Sequence, residues 1–105
     1  MPGYNKLVRD HIPEMIEREG RIPVIRILDN EEYLSEIDRK LCEECEEYQS
    51  DKSLEELADI LEVVYAILKA KGWSVEEAEA LRLQKSQQNG AFQKRIYLET
   101  VMESG

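Results

Sequence analysis

A chain of 105 residues is one domain's worth, with no room for a second independent core. Its formal net charge is −9, from 23 acidic and 14 basic side chains. That balance repels the backbone of DNA or RNA and argues against a nucleic-acid polymer as partner, while one small polyphosphate stays within reach because a bound divalent cation reverses the local sign.

There is no apolar run of about 18 residues, so no membrane span is expected. The opening "MPGYNKLVRDH" is charged where a signal peptide would be apolar, and the expected location is the cytoplasm. In chain order, "HIPEMIEREG" reads as a short first helix, with Pro13 and Glu14 suited to its first turn and Gly20 to its end. "IPVIRIL" reads as a strand over 24–28. Asp29 and Asn30 are candidate caps for a second helix reaching about Tyr48, and "QSDKS" is a turn. Ser53 with Glu56, and Ser74 with Glu77, are capping-box patterns opening a third helix that ends at Gly72 and a fourth that ends near Gly90. The tail "FQKRIYLETV" looks extended, and residues 93–100 could pair with 24–28 as a two-stranded ribbon. The expected class is mainly α, a bundle of about four helices.

Cys42 and Cys45 are the only cysteines and His11 the only histidine, too few ligands for a zinc site. On the second helix Leu34, Ile37, Leu41, Cys45 and Tyr48 form an apolar stripe, which places Cys45 in the core. Glu44 and Glu47 flank that stripe, and Glu43 and Glu46 turn towards solvent. On the third helix one wide apolar face carries Leu54, Leu57, Ala58, Leu61, Val64, Tyr65 and Leu68. A second carries Ile60, Val63 and Ile67, bordered by Glu56 and Asp59. A helix apolar on two sides is packed on two sides, by its own chain and by another subunit. The expected partner is a second copy, as dimer or tetramer, covering the second face. Trp73 is expected to pack at the helix joint.

Folding the two helices back on each other brings Glu44 and Glu47 near Glu56 and Asp59. Such a cluster beside apolar surface calls for a compensating cation, and oxygen-only ligands suit Mg²⁺ or Mn²⁺. Solvated acidic helix faces are the other reading, and the residues alone leave both open.

"KLCEECEEY…LEELADILEVVYAI" resembles the paired E-x-x-E and E-x-x-D motifs of the all-α nucleoside triphosphate pyrophosphohydrolases, the MazG-like superfamily. "YNKLVRDHIPEMIE" and "KSQQNGAFQKRIYL" resemble the opening and closing blocks of a small phosphoribosyl-ATP pyrophosphohydrolase-like subgroup. The resemblance implies Mg²⁺-dependent cleavage of a nucleotide between its α- and β-phosphates, giving the monophosphate and pyrophosphate. It implies that Glu44, Glu47, Glu56 and Asp59 bind the metal and carry the catalysis. Lys6, Arg9, Lys85 and Arg95 become the candidate phosphate contacts. Two positions depart from the subgroup: His11 stands where Lys is usual, and Asn89 where Arg is usual. The alternatives are phosphoribosyl-ATP as substrate, an inactive module that binds a nucleotide or a protein, and a purely structural acidic bundle.

Overall fold

The computed structural model describes residues 5–104, and its regular structure is four helices: α1 (Ile12–Arg18), α2 (Asn30–Asp51), α3 (Leu54–Lys71) and α4 (Val75–Asn89). The fold is mainly α, as the pattern of caps and periodicity predicts. The chain separates into two compact units, the first ending at Trp73 and the second beginning at Ser74. No helix among the described residues is long and apolar enough to cross a membrane.

The caps form as their sequences dictate. Asp29 accepts from the backbone N–H of Glu32 at 2.9 Å, Ser53 from Glu56 at 3.3 Å and Ser74 from Glu77 at 3.0 Å. Each satisfies a donor that the first helical turn would otherwise leave unpaired. Gly72 ends α3 in the left-handed region (φ 84°), and the N–H of Trp73 reaches back to the carbonyl of Leu68 at 2.9 Å. The indole of Trp73 is more than half exposed, so it does not serve as the packed joint expected of it.

In the first unit α2 packs on α3 as an antiparallel pair joined by a very short turn. The second helix runs past Tyr48 to Asp51, so most of "QSDKS" is helical. Lys52 supplies the stop, taking φ 56° while its N–H donates to the Tyr48 carbonyl at 2.7 Å.

The inward face of α2 follows Leu34, Ile37, Leu41, Glu44 and Tyr48, a strict three-four-three-four alternation; Cys42 and Cys45 are exposed free thiols. The expected stripe through Cys45 differs by one residue at one step. Hydrophobicity favours the thiol there, but the helical phase favours Glu44. The inward face of α3 is Glu56, Ile60, Val63 and Ile67, again at alternating spacing. The face expected to meet another subunit is therefore the one that meets α2. Leu54, Leu57, Leu61 and Tyr65 form the open side instead.

Burial is sparse: Ile37, Val63 and Glu44 are the buried residues among those described. The expected ribbon is absent, since the described residues contain no strand. A two-stranded ribbon alone is marginal in water, and both segments leave their apolar side chains exposed, Val24 and Ile27 in one, Ile96 and Tyr97 in the other. Residues 22–28 are instead tied to the start of α2 by a forked pair from Arg26 to the Glu32 carboxylate, at 3.1 and 2.8 Å.

Candidate metal centre

Both helical seams carry a glutamate at the turn end, where the spacing would put an apolar side chain. On α2 it is Glu44, only 7% exposed; on α3 it is Glu56, half-buried. Each has one carboxylate oxygen, Oε2, buried and without a hydrogen-bond donor. A buried unpaired carboxylate oxygen costs free energy unless a proton or a cation compensates.

The carboxylates gather in two overlapping groups. Glu44, Glu56 and Asp59 bring one oxygen each within 4.8 Å of one another, and so do Glu43, Glu44 and Glu47. Glu44 belongs to both. Three of the four expected ligands thus converge across the hairpin, while Glu47 joins them through Glu44 from the solvent side. An open cleft of about 550 Å³ lies beside them, lined by Glu43, Glu46, Glu47, Ser50, Asp51 and Glu56.

The electrostatics follow from burial and from which acids have a cation. Burial pushes the Glu44 carboxyl above its ordinary range, the Glu47 charge adds to this, and Lys40 opposes it. Glu56 is also raised, first by burial and then by Glu47, Asp51, Asp59 and Glu44. Glu43 goes the other way: partial burial pushes it up, but the charges and hydrogen bonds of Lys40 and Lys6 hold it below the usual range.

Glu43 was expected in solvent. It is half-buried and accepts from Lys6 at 3.3 Å and Lys40 at 3.3 Å, because the segment before α1 lies over this side of α2. Lys40, unmarked by motif, bridges Glu43 and Glu44, the latter at 3.4 Å, and is itself largely buried. Its signal was present in the spacing, three and four residues before the two acids on one helix.

Of the expected phosphate contacts, Lys6 and Arg9 sit at the acids. Arg9 donates to Asp59 at 2.7 Å and lies 3.7 Å from Glu62. Lys85, on α4, and Arg95, in a turn with φ 57°, are exposed residues of the second unit.

The donor set fits a hard divalent cation: carboxylate oxygens only, two of them buried and orphaned, with no sulfur or imidazole in either group. Glu44, Glu56 and Asp59 are the residues that would hold it.

Comparison with known proteins adds one partial match. A protein of Mycolicibacterium smegmatis (strain ATCC 700084 / mc(2)155), described as an uncharacterized protein, is 51% identical over 45 residues, covering 43% of this chain and 46% of that protein. The aligned part is thus less than half of either chain. No protein-family model matches, and no solved structure does.

Proposed function

We propose that the chain is a Mg²⁺-dependent nucleotide pyrophosphohydrolase, with Mn²⁺ able to substitute. The observation that carries this reading is the buried, donor-less Oε2 of Glu44, grouped with Glu56 and Asp59 and flanked by Lys6 and Arg9. The resemblance of "ECEE" (Glu44 to Glu47) and "EELAD" to the MazG-like motifs names the chemistry that such a group would perform.

The substrate class is a nucleoside triphosphate or a related nucleotide. Water adds to one phosphorus of the α–β anhydride and the bridging P–O bond breaks. Its electron pair leaves with the departing phosphate group, giving the monophosphate and pyrophosphate, and the water proton is released. A bound divalent cation would neutralise phosphate charge and polarise the oxygens around it. Glu47, exposed beside Glu44, would accept the water proton. Lys6 and Arg9, which pair with Glu43 and Asp59 from the segment before α1, would meet phosphate oxygens.

The test is pyrophosphate release from a panel of ordinary and modified nucleotides, with and without Mg²⁺. Release that requires Mg²⁺ and is lost in Glu44→Gln and Asp59→Asn supports the reading. Binding without turnover, seen by calorimetry with a non-hydrolysable nucleotide, would reassign the chain as a binding module.

The same reading includes a homo-oligomer. Leu54, Leu57, Leu61 and Tyr65 recur along one exposed stripe of α3, at the spacing by which helices pack on one another. Light scattering is expected to give a multiple of the 12.3 kDa chain, reduced to the monomer by Leu61→Glu.

A further inference from the structure

Arg9 holds its position through one candidate cation ligand, Asp59, and its neighbour Glu62. Its guanidinium donates to Asp59 at 2.7 Å and approaches Glu62 at 3.7 Å, yet its own side chain is 55% exposed. It precedes α1 and reaches α3 from far along the chain, so it is not a local helix pair. Lys6, on the same segment, makes the corresponding contact with Glu43 on α2. One short segment therefore lays two cations across the two helices that carry the carboxylates.

The cations are unevenly shared. Lys6, Lys40 and Arg9 answer Glu43, Glu44, Asp59 and Glu62. Among the described residues Glu47 and Glu56 have no such partner. A divalent cation held by Glu44, Glu56 and Asp59 would draw on the same Asp59 carboxylate as Arg9, and two positive charges at that spacing repel.

From this we infer that Arg9 is an internal competitor for the cation site, pairing with Asp59 until a divalent cation arrives and then turning its guanidinium to an anionic phosphate group. The inference rests on the reading of Glu44, Glu56 and Asp59 as cation ligands. It makes Arg9 a coupling residue, through which phosphate and cation strengthen each other's binding. A phosphate that draws the guanidinium away removes the competitor from Asp59, and by linkage the cation favours the phosphate equally. An exposed side chain suits this role, since it can change partners without disturbing a core.

The experiment is calorimetric titration of the full chain with Mg²⁺ alone, in the native protein, in Arg9→Gln and in Arg18→Gln. Arg18 pairs with Glu14 on α1 and controls for the loss of one positive charge elsewhere. Arg9→Gln is expected to bind Mg²⁺ about two- to fivefold more tightly, in the range of one exposed charge contact, with Arg18→Gln unchanged. Repeating the titration in inorganic phosphate is expected to tighten Mg²⁺ binding in the native chain and in Arg18→Gln but not in Arg9→Gln.

Equal or weaker Mg²⁺ binding in Arg9→Gln overturns the competition. Equal tightening by phosphate in all three proteins overturns the hand-over. Absence of Mg²⁺ binding in every protein overturns the cation site itself, and this inference with it.

Discussion

The two ends of the α2–α3 seam are built from the same helical spacing and filled with opposite chemistry. Away from the turn, Ile37, Val63 and Ile67 occupy the inward positions, and a charged pair, Lys71 with Asp38 at 3.4 Å, stays at the rim. Towards the turn, the inward positions pass to Glu44 and Glu56, each with a buried oxygen that no donor reaches. The apolar end has its charges outside and satisfied; the acidic end has them inside and incomplete. A seam that stabilises itself at one end supports a costly arrangement at the other, and such an arrangement is where a ligand gains most by binding.

The largest expected effect tests the apolar end. Ile37→Ala removes a buried side chain and should cost about 2–5 kcal/mol. Chemical denaturation would measure it, and Mg²⁺ affinity of the folded fraction should be unchanged. A parallel loss of affinity would show that the two ends are not separable.

The acidic end gives the next effect. Mg²⁺ at a hundredfold excess over its dissociation constant should stabilise the chain by about 2.7 kcal/mol, a rise of roughly 10–20 °C in a domain of this size. Glu44→Gln should abolish that rise, while in the absence of metal the variant melts slightly above the native protein because repulsion from Glu47 is relieved. A thermal melt with and without Mg²⁺ checks both arms.

The cap that joins the turn to the site ranks third. Ser53→Ala removes the acceptor for the Glu56 N–H and should cost about 1 kcal/mol, with a loosened Glu56 and weaker Mg²⁺ binding. Unchanged affinity would show that Glu56 is held by the seam alone.

The smallest effect is on pH. Glu44 and Glu56 titrate above their ordinary value in the folded chain, so between that value, 4.5, and neutrality the folded state holds more protons than the unfolded one. Metal-free stability should therefore rise as pH falls from 7 towards 4.5. Further acid should reverse the trend, because Glu43, Glu32 and Glu79 titrate below 4.5 and lose their ion pairs there. Saturating Mg²⁺ should remove the rise. Melts across pH 4–8 would trace the curve.

Much of this was legible in the chain. Caps at Asp29, Ser53 and Ser74 are local chemistry, carried by a few adjacent residues, and they set three helix starts. The convergence of Glu44, Glu56 and Asp59 was legible because a short turn and helical phase determine which side chains face each other. Three features were not. Cys45 and Glu44 differ by one step of phase, and hydrophobicity chose the wrong one. The open side of α3 could not be told from the packed side, since both are apolar and the decision lies with α2. Arg9 meets Asp59 through a segment without regular structure, whose path no periodicity encodes.

The turn itself has a kinetic consequence. Lys52 and Ser53 alone separate the two helices, so the carboxylates of α3 follow those of α2 after only a few helical turns of chain. Closing so short a loop is among the fastest events in folding, and contacts this local form readily. The acidic group is thus assembled when the hairpin closes, and the repulsion among its members opposes that closure. A divalent cation that binds the closing hairpin would speed folding itself, so Mg²⁺ is expected to act on the refolding rate as well as on the melting point.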